Sequence, residues 1–447
     1  MFSFLLKRRP RPIIKERKEH NISRKDIAPE ALKVLYRLHD SGNLAYLVGG
    51  GVRDLLLGRQ PKDFDVGTDA SPSEIRRLFR RCFLVGRRFR LAHVIVGDKT
   101  IETATFRKQP DHDTVSDEHG LYQTDDNTFG SPEDDAYRRD FTVNGLFYDI
   151  ATFRVIDYVG GLKDLERRLV RSIGDPAIRF REDPVRMMRA VRFAAKLDFE
   201  IDPGDLRAIA KYHGEIRKAS VPRLCEEIFR LFVDGKTERC FRILYKTGLL
   251  SDLLPQISDY LKRSGADRSP LWIALQGLDR IAADGHPLSN ALRLAVLYYP
   301  LHLDLLARAT ASQPTKRPNQ RQCAFQALEV SARLYNMPKS AWMNAALLID
   351  QLGRLTRKPN PDDSFTQRLL RNPRLPVLCS LAEALAQLPG APTADTARAW
   401  RQLIPEADSE NTPSAASDAG RPRRRRGRRR RRPKHQSDAP EDTQEMA

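Results

Sequence analysis

Two hydrophobic periods divide the chain. Up to about residue 160 the apolar residues come in short runs and alternations, and beyond Gly161 they recur every three or four residues. In the first part, "SRKDIAPEALKVLYRLHDSG" predicts a helix capped by Ser23 or Asp26, with Ala31, Leu32, Leu35 and Leu38 on one stripe and a stop at Ser41-Gly42. "LAYLVG" predicts a short buried strand, "GGVRDLLLG" a helix that opens at a glycine turn, "KDFDVGT" the next strand, and "SPSEIRRLFRRC" a further helix. "FLVGRRFRLAHVIVGDKTIETATFR" predicts two or three strands, with Val94-Ile95-Val96 and Ile101 to Phe106 on either side of a turn at Gly97-Asp98. Residues 108–136 are acidic and unpatterned, which predicts a flexible loop. "RRDFTVNGLFYDI" and "FRVIDYVGG" predict strand-like or short helical pieces that close this part.

From Gly161 the segments "LKDLERRLV", "EDPVRMMRAVRFAAKL", "VPRLCEEIFRLFVDG", "TERCFRILYKTGLLSDLLP" and "SNALRLAVLYY" carry helical spacing, and the pattern continues to about Leu403. No internal repeat is visible. The predicted plan is a basic flexible arm over 1–22, an α/β head over 23–160, a helical neck over 161–220, a helical body over 221–405 and a disordered tail over 406–447.

Charge sharpens this plan. The chain has 447 residues and a formal net charge of +19, which favours a polyanionic partner such as nucleic acid. The excess is uneven: "RPRRRRGRRRRRPK", Arg421 to Lys434, holds eleven basic residues and no acid, which leaves about +8 for the rest. Clustered charge of this kind binds phosphates without sequence preference and with steep salt dependence. The five cysteines are scattered and form no Cys-x-x-Cys pair, against a disulfide framework or a zinc site and in keeping with a reducing compartment. No apolar run reaches the roughly 18 residues of a membrane span, and "MFSFLLKRRPRP" is too short in its apolar part for a signal peptide, so the cytoplasm is the expected location.

Candidate chemistry begins in "LVGGGVRDLLLGRQPKDFDVGT", Leu47 to Thr68. On a strand Asp63 and Asp65 would project to one side, about 6–7 Å apart along the backbone. Two such carboxylates repel unless a cation lies between them, and oxygen ligands suit Mg²⁺, which takes one or two carboxylates plus substrate phosphates. Gly49-Gly50-Gly51 allows close backbone approach to phosphates, and Arg53 adds a charge-assisted bond. In "REDPVRMMRAVRFAAKL", a helix would set Asp183, Arg186 and Arg189 along one flank, with Arg192 continuing it and Val185, Met188, Val191 and Ala195 facing the core. An aspartate beside an arginine presents an acceptor and a donor, as the reading of a base edge requires.

The combination "GGGVRDLLLG…KDFDV" resembles the nucleotidyltransferase head shared by bacterial poly(A) polymerases and bacterial-type CCA-adding tRNA nucleotidyltransferases. The resemblance implies an α/β nucleotidyltransferase palm followed by an all-α neck and body. It implies magnesium on Asp63 and Asp65, and attack of an RNA 3′-hydroxyl on the α-phosphate of a nucleotide. "RRDFTVNGLFYD" is similar to the family's second motif, which places Asp140 among the active-site residues, Arg139 at the triphosphate, and Asp140 and Asn144 at the sugar and its supporting loop. Gly145 departs from the usual alanine or serine. The Glu-Asp-x-x-Arg motif, an amino-acid template that selects the nucleotide, maps onto Glu182, Asp183 and Arg186, with Arg189 as a further nucleotide contact. Gly50 and Arg53 fall with the triphosphate.

"LVGRRFRLAHV" resembles a stretch typical of the polymerase branch, and its Arg87, Arg88 and Arg90 form a basic strip suited to the phosphates of single-stranded RNA. The resulting expectation is template-independent addition of AMP from ATP to RNA 3′ ends. The alternatives are CCA addition to tRNA and a non-catalytic RNA-binding protein; a common nucleoside-triphosphate hydrolase would need a GxxxxGK[ST] loop that the chain lacks. Expected partners are single-stranded RNA 3′ ends, ATP, and RNA-decay or RNA-chaperone proteins reached through the basic tail. Glu102 stays open between a third carboxylate and an exposed strand residue. His112 and His119 fall in the acidic loop and read as solvent-facing.

Overall fold

The computed structural model describes residues 9–86, 90–108 and 129–404. Its first half is built on one eight-stranded sheet. In chain order the elements are β1 (Ile13–Lys15), α1 (Pro29–Asp40), β2 (Ala45–Val48), α2 (Gly50–Leu56), β3 (Asp65–Thr68), α3 (Pro72–Leu78), β4 (Cys82–Val85), β5 (Leu91–Val96), β6 (Lys99–Thr105), α4 (Pro132–Arg138), β7 (Leu146–Asp149) and β8 (Arg154–Asp157). The spatial order is β1-β8-β7-β2-β3-β6-β5-β4. Only β3 and β6 pair in parallel, and the other ladders are antiparallel.

Local chemistry explains where the elements depart from the expected ones. The first helix begins at Pro29 rather than beside Ser23 or Asp26. A residue before proline is pushed out of the helical region, and Ala28 is accordingly extended, while the proline ring pre-sets the first helical φ. The Ser23 hydroxyl instead accepts from Lys25 N–H and caps a single 3₁₀ turn, Arg24–Asp26. The basic arm is tied down from Ile13, because β1 adds an edge strand to β8 and Arg154 Nε donates to Glu16 at 2.9 Å. Residues 109–128 of the expected loop lie outside the described residues, and its end from Pro132 belongs to α4, whose Ser131 cap exchanges bonds with Asp134. His112 and His119 lie outside the described residues, as does everything from 405 onward.

Beyond the sheet come α5 (Gly161–Glu166), a small parallel ladder of β9 (Leu169–Val170) and β10 (Glu200–Ile201), α6 (Pro176–Glu182), α7 (Val185–Leu197), α8 (Pro203–Tyr212) and α9 (Val221–Arg230). The chain then runs through α10 (Thr237–Lys246), α11 (Leu249–Leu253), α12 (Pro255–Ser264), α13 (Pro270–Ala283), α14 (Asn290–Ser312), α15 (Gln320–Leu334), α16 (Lys339–Leu352), α17 (Ser364–Leu370), α18 (Leu375–Leu385) and α19 (Ala394–Gln402). The α/β palm with a helical neck and body is thus the observed architecture. One hydrophobic cluster runs through both parts, from Ile22 and Val34 under the sheet to Trp400 in the last helix. All five cysteines are free, and no described helix is long and apolar enough to cross a membrane.

α7 buries Val185, Met188, Val191 and Ala195, as its spacing predicts. Asp183, however, does not share the arginine helix. Pro184 starts α7, so Asp183 sits at the joint behind α6 with an extended backbone. That joint aims its carboxylate into the cavity described next.

Candidate active site

Register brings the glycine turn to the aspartates. Val48, the last residue of β2, faces Asp65, the first of β3, so the chain leaving β2 at Gly49 passes beside Asp65. Gly49 has φ +69°, a left-handed conformation that favours glycine, and a Cβ there would lie 2.9 Å from Arg139 Nη1. Its own N–H donates to Leu146 O at 3.1 Å, which fixes the turn against β7. The helix that follows has only seven residues, so what the turn offers an anion is close backbone approach rather than a long helix dipole. Asp63 lies before β3, not within it as expected, and is exposed, whereas Asp65 is partly buried.

These residues wall a cavity of 490 Å³. On the sheet side it is lined by Gly49, Gly50, Gly51, Arg53, Asp54, Lys62, Asp63, Asp65, Arg139, Asp140 and Asn144. On the helix side the lining is Asp183, Arg186, Arg189, Phe193, Lys196 and Arg223. Twelve residues singled out from the sequence therefore meet here: Gly49, Gly50, Gly51, Arg53, Asp63, Asp65, Arg139, Asp140, Asn144, Asp183, Arg186 and Arg189. Glu182 does not line the cavity; its Oε2 accepts from Arg179 at 3.0 Å and lies 3.7 Å from Arg186 Nη1. Arg90 is exposed and outside the lining, and Arg87 and Arg88 lie outside the described residues.

The cationic wall is braced from behind. Arg53 is 2% exposed, donates from Nε to Asp54 at 2.8 Å and from Nη1 to Asn144 Oδ1, and stacks over Phe193 at 5.4 Å. Arg139 donates from Nη2 to buried Asp135 at 2.8 Å and from Nη1 to Asn144 O at 3.4 Å. Asp140 spends both oxygens inside the protein. Oδ1 accepts from Phe141 N–H at 2.8 Å and Asn144 Nδ2 at 3.1 Å, and Oδ2 accepts a two-toothed bond from Arg189, 2.9 Å at Nε. Burial alone would raise its pKa, but the Arg189 charge and these bonds outweigh that and hold the carboxyl below the usual range.

Asp65 behaves oppositely. Burial, then the charges of Glu102 and Asp63, push it up to about 6 against the pull of Arg139. A carboxylate so crowded by its own kind is one that a bound cation would relieve, so the donor set at Asp63 and Asp65 fits a divalent metal. Among the described residues no group of three His, Cys, Asp or Glu side chains is placed to hold a metal alone, as expected where substrate phosphates complete the shell. Glu102 remains half-exposed on β6, 3.9 Å from His93 Nε2.

On the helix side, Asp183 Oδ2 accepts from Arg223 Nη2 at 2.9 Å, while its buried Oδ1 and the buried Nη1 of Arg186 have no hydrogen-bond partner. Both atoms are buried, and Arg186 Nη1 lies 3.7 Å from Glu182 Oε2, while the two side chains line the cavity and bring a carboxylate and a guanidinium to one wall. Lys62, Phe193, Lys196 and Arg223 were not foreseen. Arg223 comes from α9, 40 residues beyond the aspartate it holds, and no local spacing could announce it.

The family described as "Poly A polymerase head domain" matches residues 45–171, and that described as "Probable RNA and SrmB- binding site of polymerase A" matches residues 198–261. The chain is 47% identical to poly(A) polymerase I of Salmonella typhimurium over 66% of its length, and this match spans 65% of that relative. It is 34% identical to poly(A) polymerase I of Haemophilus influenzae over 86% of each protein. A CCA-adding enzyme of Bacillus pumilus is 37% identical over 56% of this chain and 61% of its own. Among solved structures, that of the Bacillus stearothermophilus CCA-adding enzyme in complex with CTP superposes with a TM-score of 0.63 at 27% identity, covering 84% of this chain and 82% of that one. The similarity to the Haemophilus polymerase along most of both chains, together with the head-domain match over residues 45–171, places this chain in the bacterial poly(A) polymerase family, within the wider group that includes the CCA-adding enzymes.

Proposed function

We propose that the chain adds AMP units from ATP to RNA 3′ ends without a nucleic-acid template. The observation that carries the reading is a carboxylate and a guanidinium, Asp183 and Arg186, lining the same cavity as the Asp63–Asp65 pair. One end of the cavity is suited to a base edge and the other to a triphosphate. Arg139 and the Gly49–Gly51 backbone hold the phosphates, with Arg53 as a braced wall behind them. Asp140 acts through Arg189, orienting it toward the nucleotide, since neither of its oxygens is free. Asp63 and Asp65 hold Mg²⁺, which when bound supplies charge neutralisation of the α-phosphate and the leaving pyrophosphate. The 3′-oxygen bonds to the α-phosphorus, the bond to the β-phosphate bridging oxygen breaks, and the hydroxyl proton leaves toward the aspartates and solvent. Positioning and preorganised charge account for the rate.

The Arg87, Arg88 and Arg90 strip and the Arg421–Lys434 block are assigned to acceptor RNA phosphates, and the tail also to RNA-decay or RNA-chaperone proteins. A cytoplasmic setting agrees with the five free cysteines. CCA addition is the second reading, favoured by the likeness to a CCA-adding enzyme solved with CTP. The deciding experiment combines the purified full chain, Mg²⁺, a labelled short RNA with an unpaired 3′ end, and each of the four nucleoside triphosphates separately. A long ladder with ATP alone is expected. Two or three additions that require CTP, chiefly on a tRNA acceptor, would replace the reading with CCA addition, and no extension would leave a non-catalytic RNA-binding protein.

A further inference from the structure

The cavity has two walls from distant parts of the chain, joined by backbone bonds such as Ile173 N–H to Asp140 O at 3.1 Å and by side-chain ties. Asp140 to Arg189 is one tie, made by residues that line the cavity themselves. The second lies behind it, at Arg179 in α6. This side chain is 6% exposed and outside the lining. Its Nη1 donates to Glu182 Oε2 at 3.0 Å, and its Nη2 donates to two backbone carbonyls of the sheet side, Arg138 O at 2.9 Å and Arg139 O at 2.8 Å. Glu182 directly precedes Asp183 and lies beside Arg186, while Arg138 and Arg139 close α4 at the point where Arg139 turns into the cavity. A single guanidinium therefore spans the joint that aims the base-reading pair and the backbone that aims the triphosphate arm.

We propose that Arg179 is a positioning residue that locks the Glu182–Asp183–Arg186 turn to the Arg139 backbone and thereby sets the preference for ATP over CTP. The inference rests on the proposed assignment of Asp183 and Arg186 to the base. Selecting one base requires the Asp183 carboxylate and the Arg186 guanidinium to sit at one fixed distance from the triphosphate, because a pyrimidine and a purine present their edges at different reach from the sugar. With Arg179 in place the two walls hold one spacing; without it the turn is free to shift, and a different edge becomes acceptable. Arginine is needed because its planar fork serves a carboxylate and two carbonyls at once, which a lysine ammonium at one point does not. Burial, then the neighbouring Arg186 charge, pull the guanidinium down to about 10, so it stays cationic at neutral pH.

The test uses the full chain with Arg179→Met, Arg179→Lys and Glu182→Gln. Dissociation constants for non-hydrolysable ATP and CTP analogues are measured by calorimetry, beside kcat/KM for AMP and CMP incorporation and thermal midpoints. Misplacement of a positioned group by about 1 Å costs about a hundredfold, so Arg179→Met should narrow the ATP:CTP ratio by about that factor. Arg179→Lys should recover part of the ratio, and Glu182→Gln should narrow it by a smaller factor. An unchanged ratio, or equal weakening of both nucleotides together with a lowered thermal midpoint, would overturn the proposal in favour of a merely structural arginine. Should Arg179→Met fail to fold, Glu182→Gln decides by the same ratio. A wild-type chain that binds ATP selectively but extends no RNA would defeat the polymerase reading and leave the binding ratio to judge the lock.

Discussion

Two of the cavities in the described part of the molecule are nearly equal in size and opposite in character. The one between sheet and neck measures 490 Å³, and a groove among α14, α16 and α18, lined by Ser289, Asn344, Leu348, Arg374 and Val377 among others, measures 480 Å³. Twelve of the seventeen residues lining the first carry a charge; of the eleven lining the second only Arg374 does, and it donates to Asn344 at 3.3 Å. Volume therefore does not mark the site. What distinguishes the first is charge held against burial by partners on its far side, as with Arg139 on Asp135.

The largest effect that would break this contrast lies at the aspartates. Asp63→Asn should lower AMP incorporation by about a thousandfold or more, as the loss of a charge stabiliser does, with RNA affinity near the wild-type value. Retained incorporation in a single-turnover assay would remove the metal assignment. In the body the corresponding sensitivity is to volume. Gly277 in α13 packs so closely on α18 that a Cβ would lie 1.7 Å from Ala384 O, a backbone atom that cannot swing away. Gly277→Ala should destabilise by about 3 kcal/mol or more, read as a lower urea midpoint, while incorporation per folded molecule stays at the wild-type level. A loss of specific activity larger than the loss of folded protein would show that the body shapes the catalytic cavity directly.

Smaller but more selective is Arg186→Ala. It removes the guanidinium proposed to read the base without touching the phosphate wall, so kcat/KM for ATP should fall by about ten- to a hundredfold with the ATP:CTP ratio falling in step. Arg374→Ala in the body groove is the matched control and should move neither quantity. Equal effects of the two substitutions would erase the distinction between the cavities.

How much of this was legible in the sequence follows from how far apart the partners lie. Gly49 to Gly51, Asp63 and Asp65 are within seventeen residues of one another and are brought together by one strand pairing, so a local motif suffices. The Asp183–Arg186 pair is likewise local, although Pro184 breaks the single helix expected there and moves Asp183 to a joint, which improves its aim into the cavity. Arg223, Lys196 and Lys62 could not be found, because each reaches the cavity only through tertiary packing. Glu182 illustrates the converse: its place in a motif suggested a nucleotide contact, while the fold turns it toward Arg179. In the body the helical period announced the helices but not which face meets which, and Gly277 looked like an ordinary mid-helix glycine.

The smallest prediction sets the two regions against each other through pH. Asp205, buried behind β9, accepts from Ser172 N–H at 2.6 Å, yet burial pushes its carboxyl up to about 6. His302 in α14 is buried with an unpartnered Nδ1, and burial pulls its imidazole down to about 4. Unfolded, the two titrate at about 3.9 and 6.5. For Asp205 the folded value is the higher, so its contribution to stability is complete below about pH 4 and is lost as pH rises through 6. For His302 the folded value is the lower, so its contribution is complete above about pH 6.5 and is lost as pH falls through 4. Between those limits the two slopes oppose each other and largely cancel. Asp205→Asn leaves the histidine slope and should make the urea midpoint rise with pH relative to wild type; His302→Gln leaves the aspartate slope and should make it fall. Neither change can exceed about 1.4 kcal/mol per pH unit. Parallel profiles for both variants and wild type would mean that neither burial is felt by the folding equilibrium, and opposite slopes would show that neck and body unfold as one unit, since only then does each group report on the same transition.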